Sequence, residues 1–450
     1  SAGIPVLGEI PALAWEFAAD PETTVALVID GASDDSLTVA ARLMERDVEV
    51  RVARKDFDFD GREFPRGSIV VTQLDNRSTW STVVDVVATV TREIGMSPIA
   101  VSTGLGPADA PDLGGSYFTR LEPPRIALLG RGGANPYDYG ALWHLLDHQL
   151  RIPHARIDEE GFLDLRPYNV LLLPDRFTGS PLTRVRRDLE AWVREGGTLI
   201  AIGSSAAALA QKEGGLGGCR LLEDVQGELD EYRVAVLQEW MARERPLPSL
   251  DAVWNHTVGD DTHYPWDPDD ASGKSSVEER NKRDRWNRKF MPQGAILAAR
   301  VDPESWLTFG QEGPLPVMVA RQAVLMSGRS LETPVRLGYW EDHEGSRATA
   351  DDSQKPSRDG SHRYRTVGWS QVPAETDVYL RMGGLLWPEA AQRLTNAAYL
   401  TRESMGRGQI ISFAVPPAFR GSTLGTTRLL LNAMILGPGC GASSPIRRSS

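Results

Sequence analysis

The chain opens with short apolar runs separated by stretches of helical periodicity. Val25-Ala-Leu-Val-Ile29 ends at Asp30-Gly31, and Ser33-Asp-Asp-Ser36 signals the start of a helix over Leu37 to Arg46. Val48-Glu-Val-Arg-Val52 alternates in period two, Gly67 to Thr72 reads as another strand, and Ser78 to Ile94 carries apolar residues at helical spacing. Strands separated by helices predict parallel pairing in a layered α/β domain. Gly104 to Pro111, rich in turn formers, reads as a connector, and the first domain is bounded at 1–122.

The rhythm restarts after Pro123-Pro124. Arg125-Ile-Ala-Leu-Leu129 is a strand, Tyr137 to Leu150 a helix and Val170 to Leu173 a strand. Leu182 to Arg194 is an amphipathic helix stopped by Gly196-Gly197, Thr198 to Ile202 a strand, and Ser204 to Gln211 a helix. Gln409 to Phe413 and Thr423 to Leu436 supply a last strand and helix. The expectation is an α/β protein of two tandem Rossmann-like, three-layer domains, the second spanning 123–450. Two polar excursions interrupt it, at 254–290 and 341–366. The first is dense in Asp, Arg, Lys and Trp, and composition predicts flexible linkers for both.

A length of 450 residues allows two to four domains, and the net charge of −12 argues against nucleic-acid or anionic-membrane partners. No apolar run approaches the roughly 18–20 residues of a membrane span, so a soluble chain is expected. A start at Ser1-Ala-Gly implies cutting of a longer precursor or a chosen boundary, and says nothing about export. Cys219 and Cys440 leave one disulfide or two free thiols open.

The run Met405-Gly-Arg-Gly-Gln-Ile-Ile-Ser-Phe-Ala-Val-Pro-Pro-Ala-Phe-Arg-Gly421, followed by Thr426-Thr-Arg-Leu-Leu-Leu-Asn-Ala-Met-Ile-Leu-Gly-Pro438, resembles the C-terminal region of bacterial secreted zinc carboxypeptidase (carboxypeptidase A-like) proteins. Leu142-Trp-His-Leu-Leu146, Gly196 to Gly203, Pro292 to Ile296, Trp306 to Gly310, Pro316 to Val319 and Gly384 to Pro388 extend the similarity in order. The resemblance implies a class I glutamine amidotransferase-like second domain and a secreted or periplasmic location. It also implies a peptidase domain upstream and outside this chain, where zinc is expected. None of His144, His148, His154, His256, His263, His343 and His362 begins the His-x-x-Glu of that peptidase, so this chain carries no cofactor expectation of its own. The implied role is a non-catalytic structural or docking module, with a processed fragment in an assembly as one form of it. Its partner would be the peptidase half or copies of itself. The alternative is part of an active zinc metallocarboxypeptidase whose catalytic domain lies elsewhere.

Several residues are candidates for chemistry. An amidotransferase-like fold places its nucleophilic Cys on the sharp turn between a strand and the next helix, and here Ser204 and Ser205 occupy about that position. A serine hydrolase or amidase using Ser204 or Ser205, with His256 or His263 as base, is the enzymatic alternative. A helix N-cap explains Ser204 without catalysis and is preferred. His144 and His148, spaced i, i+4, are candidate metal ligands, against ordinary packing and solvent contact. Gly130-Arg-Gly-Gly133 reads as a tight turn rather than a phosphate cradle, and Asp30 to Asp35 as capping rather than cation binding. Trp254, Trp266, Trp286, Trp340 and Trp369 stand in polar surroundings and are the candidate interface residues.

Overall fold

A computed structural model of the protein describes residues 17–107, 110–130, 133–158, 164–176, 182–227, 229–244, 249–255, 276–320, 323–328, 331–340 and 378–442. Its first half runs β1 (Ala26–Ile29), α1 (Asp35–Glu45), β2 (Arg51–Ala53), β3 (Phe57–Phe59), β4 (Arg62–Phe64), β5 (Ile69–Thr72), α2 (Trp80–Ile94), β6 (Ile99–Val101) and β7 (Phe118–Arg120). The sheet order is β6-β1-β5-β2-β7. Every neighbouring pair in it is antiparallel, which corrects the expected parallel sheet. The strand–helix–strand rhythm is present, but β5 lies between β1 and β2, and β1 lies between β5 and β6. Two split β-α-β units therefore interleave. Periodicity shows that a helix follows a strand; it does not show which strand becomes the neighbour.

Alternation along these strands supplies two buried faces. Leu27, Ile29, Ile69 and Val71 join the core formed with Leu37, Val39 and Leu43 of α1 and Val84 and Val87 of α2. Ala26, Val28 and Val70 face the other way, onto Phe57, Phe59 and Phe64 of the β3–β4 hairpin and Phe118.

The second half begins with β8 (Ile126–Leu129), α3 (Pro136–His144), a π-helical turn over Leu145–Leu150, β9 (His154–Ile157), β10 (Val170–Leu173), α4 (Leu182–Arg194), β11 (Thr198–Ile202) and α5 (Ser204–Ala210). Next come β12 (Arg220–Leu221), α6 (Leu222–Gly227), α7 (Asp230–Glu244), α8 (Leu250–Trp254) and α9 (Val277–Asn287). Strands β13 (Ala295–Val301), β14 (Leu315–Val319), β15 (Leu325–Met326), β16 (Glu332–Leu337), β17 (Tyr339–Trp340), β18 (Val378–Tyr379) and β19 (Arg381–Gly384) follow. The chain closes with α10 (Pro388–Leu394), β20 (Ala398–Met405), β21 (Gly408–Phe413), α11 (Leu424–Leu431), a π-helical turn over Asn432–Leu436 and α12 (Gly437–Cys440).

The main path of the large sheet is β14-β13-β16-β20-β21-β11-β10-β8-β9. Strands β9, β8, β10, β11 and β21 are parallel, and the pairings from β21 through β20, β16 and β13 to β14 are antiparallel. Helix α3 and the 429–436 segment pack on one face of the parallel strands, and α4 and α5 on the other. The protein is thus α/β, with a large mixed sheet. Among the described residues, no helix is long and apolar enough to cross a membrane.

The linker expected over 254–290 is corrected in its second part. Ser276 and Glu279 form a reciprocal capping box that starts α9. The 341–366 excursion lies outside the described residues. Cys219 and Cys440 are both free thiols.

Arg428 of α11 binds the two halves together. It is fully buried, and its guanidinium donates to Gly31 O at 2.9 Å, Ser33 O at 2.6 Å and Phe309 O at 3.1 Å, with Asp34 Oδ1 at 3.3 Å. Removing a buried charge's partner, or leaving buried carbonyls without donors, is among the costlier single changes. Arg428→Met is expected to lower the unfolding free energy by about 3–5 kcal/mol, measured by urea denaturation. Arg428→Lys is expected to recover only part of this, because an ammonium cannot reproduce the guanidinium fork.

Candidate functional site

In open sheets of this kind, ligands gather at the carboxyl ends of parallel strands, where the strand order reverses. Here the reversal falls between β8 and β10, because β9 lies outside β8 while β11 and β21 extend beyond β10. The loop after β10 carries Asp175 and Arg176, the turn after β11 carries Gly203 to Ser205, and α3 opens with Asn135 and Asp138. Asn135 caps α3 by accepting from Tyr137 N, while its side-chain amide donates to Asp175 Oδ2 at 2.9 Å.

Asp175 is the hub. Its Oδ1 accepts from Ser204 N and from the Ser204 hydroxyl, both at 2.9 Å. The hydroxyl also lies 2.9 Å from Arg176 O and accepts from Arg176 N at 2.7 Å. Beneath it, Asp138 Oδ2 accepts from Asp175 N at 2.7 Å, and Asp138 Oδ1 is buried without a hydrogen-bond partner. Burial pushes the Asp138 carboxyl up to about 7, against the pull of the Asp175 backbone amide, with the nearby Asp175 charge raising it further. Wholly buried Tyr399 is close enough to feel the Asp138 charge, and its phenol is raised above its usual value chiefly by burial.

The turn residue itself is Gly203, with φ 57° and ψ −121°. A Cβ placed there would lie 2.5 Å from Asp175 Oδ1. Ser204 is therefore the first residue of α5 rather than its N-cap, which corrects the capping reading; the α5 terminus has no side-chain cap. Ser205 is buried, its hydroxyl donating to Pro174 O at 2.6 Å. No described histidine hydrogen-bonds either serine, and His256 and His263 lie outside the described residues. The arrangement offers one exposed hydroxyl bonded to a carboxylate above a buried carboxyl group that titrates near neutrality.

The other sequence candidates scatter. His144 and His148, both exposed, stack at 5.1 Å where the α-helix passes into its π-turn, and His148 lies 3.9 Å from Asp147. No group of three His, Cys, Asp or Glu among the described residues could hold a metal ion. Trp254 ends α8 and is 78% exposed. Trp286 is instead buried in a satellite core, packed edge-on against Phe290 at 5.1 Å. Trp340 is half-buried under the Arg300 guanidinium, 3.6 Å from its ring centroid. Trp266 and Trp369 lie outside the described residues. Sequence reading missed Asp138 and Asp175, which stand on separate elements and meet only through the sheet.

No family model and no curated protein sequence matches the chain. Among solved structures, a β-galactosidase from Bacillus circulans sp. alkalophilus is similar at 13% identity and a TM-score of 0.32, over 79% of this chain and 35% of that one. A catalytic mutant of Gan42B, a GH42 β-galactosidase from G. stearothermophilus, is similar at 11% identity and a TM-score of 0.24, over 74% and 31%. The chain thus spans about a third of the length of these structures. At such scores the superposition fixes neither fold nor reaction.

Asp138 has a definite pH signature. Its carboxyl is held protonated in the folded state to about pH 7, whereas in the unfolded chain it ionises near the ordinary value of 3.8. Its contribution is therefore fully present below about pH 4 and is lost as pH rises to about 7, at no more than roughly 1.4 kcal/mol per pH unit. Asp138→Asn keeps an oxygen for Asp175 N and is expected to flatten that slope in urea melts from pH 4 to 7, becoming more stable than the parent at neutral pH.

Proposed function

We propose that this chain is a non-catalytic docking module of a secreted zinc carboxypeptidase-like protein, its second half an amidotransferase-like domain without the reactive side chain. The observation that carries the reading is Gly203. It occupies the sharp strand-to-helix turn where such a fold bears its nucleophilic Cys, and Asp175 Oδ1 takes the space a Cβ would need. The three-layer packing of α3, α4 and α5 on the parallel strands supports the Rossmann-like description of the second half. Zinc chemistry on this reading belongs to the peptidase domain upstream, so the parent protein is itself an active metallocarboxypeptidase or a derived relative.

Docking draws its support from α8. Leu250, Val253 and Trp254, spaced i, i+3, i+4, share one helix side and are exposed by 77%, 47% and 78%. The partner on this reading is the peptidase half or a second copy of the chain. A Leu250→Asp, Trp254→Ala double variant is expected to weaken association with the peptidase half by ~10-fold or more, measured by sedimentation velocity. A purified chain that stays monomeric and never retains the peptidase half would remove the docking role.

A serine hydrolase is the second reading, favoured by the exposed Ser204 hydroxyl at 2.9 Å from Asp175. The two readings separate on labelling with a fluorophosphonate. No covalent adduct is expected in the intact mass; an adduct lost in Ser204→Ala would reverse the assignment.

A further inference from the structure

Away from the parallel strands, the antiparallel part of the large sheet sets two arginines directly opposite each other. Arg300 of β13 is register partner to Arg336 of β16. Like charges at facing positions on paired strands repel. Among the described residues no carboxylate relieves them: Arg300 donates to Asn396 Oδ1 at 2.7 Å, and Arg336 donates to Ser327 Oγ at 2.7 Å and to Asn396 O at 3.3 Å. The Arg300 guanidinium is capped by the Trp340 ring, and its Nη1 is buried without a hydrogen-bond partner. Burial, with Arg336 as the second cause, pushes Arg300 down to about 10, and burial lowers Arg336 as well.

Beside this pair lies a cavity of about 60 Å³ lined in part by Ser327, Arg336, Arg393 and Asn396. Arg393 comes from α10, steadied by hydrogen bonds to Tyr232 Oη and by the Phe290 ring 4.2 Å from its guanidinium carbon. It too has no ion-pair partner among the described residues. The acceptors contributed by Ser327 Oγ and Asn396 Oδ1 are already engaged by Arg336 and Arg300. Among the described residues, the polar side-chain groups left to face the cavity are donors, the Ser327 hydroxyl hydrogen, the Asn396 amide hydrogens and two guanidinium groups, and the rest of the lining is apolar. The space is several times the roughly 10–15 Å³ that one water needs. Water would fill it but would leave the charges unneutralised.

We infer that this cavity is a binding site for a small tetrahedral oxyanion of the phosphate or sulfate kind, held by Arg336 and Arg393 with Ser327 and Asn396, and with Arg300 adding its charge from the next strand. Arginine suits the task because its fork matches paired oxyanion oxygens. The inference is independent of any reaction at the Ser204 turn.

Calorimetric titration of the intact chain with sodium phosphate, in buffer held at constant ionic strength with sodium chloride, tests it. One saturable site per chain is expected, with affinity reduced at least ~10-fold in both Arg336→Met and Arg393→Met. In chloride alone, Arg336→Met is expected to melt no lower than the parent, because it removes one of two facing charges; in phosphate the parent melts higher and the variant does not shift. Should a methionine variant fail to fold, Ser327→Ala is expected to weaken phosphate binding severalfold with the fold intact. Absence of saturable binding at millimolar phosphate, or variants that bind as the parent does, would overturn the site.

Discussion

A single buried cation sets the terms for the rest of this structure. The Arg428 guanidinium has no access to water, and what replaces hydration is chiefly main-chain carbonyl groups from two places: the loop after β1 and the turn at Phe309. Burial lowers its basicity, with Asp34 opposing that trend. Backbone must come very near it. At Gly310, φ is +77° and a Cβ would lie 2.8 Å from the guanidinium carbon, so any side chain there would strike the group that joins the halves. Asn432, one turn further along, donates to Leu307 O and Phe309 O from the same helical segment. The runs Trp306 to Gly310 and Thr426 to Pro438, widely separated in the chain, are thus two sides of one polar joint.

The elements most legible in the sequence are those whose burial is unambiguous. Val170 to Leu173, Thr198 to Ile202 and Leu182 to Arg194 stand where apolar continuity and amphipathic spacing put them. Pairing was not legible in the same way. The first sheet is antiparallel because strands distant in sequence slot between those a helix connects, and nothing local to β1 or β2 encodes that. Two local signals were present but overshadowed. Asp60-Gly61, both with positive φ, turns the β3–β4 hairpin between alternating phenylalanines. The Ser276 and Glu279 capping box starts a helix in a segment whose composition argued for a linker. Trp286 and Phe290 then lie one turn apart, which is why a tryptophan in polar company is buried.

The candidate site was half legible. The apolar run ending at Ile202 locates a strand-to-helix turn, but the shift of one residue that puts Gly203 rather than Ser204 on it is below the resolution of pattern reading. Asp138 and Asp175 carry no local mark, since each looks like an ordinary loop or first-turn acid until β8, β10 and β11 align. The facing arginines are hidden for the same reason. Arg300 and Arg336 meet only once the register of β13 on β16 is fixed, and register is a property of the pair.

The order of the elements along the chain bears on how the molecule is made. Strand β21, which pairs with β11 in the parallel sheet, and Arg428, which closes the loop after β1, both leave the ribosome long after the elements they complete. Until then the nascent first sheet has exposed carbonyls at one corner and the nascent second sheet an open edge beside β11, the kind of surface that invites wrong pairing. Both are completed by the same later segment, 408–428. The two halves are therefore committed to finishing together, as one cooperative unit, whatever boundaries their separate sheets suggest.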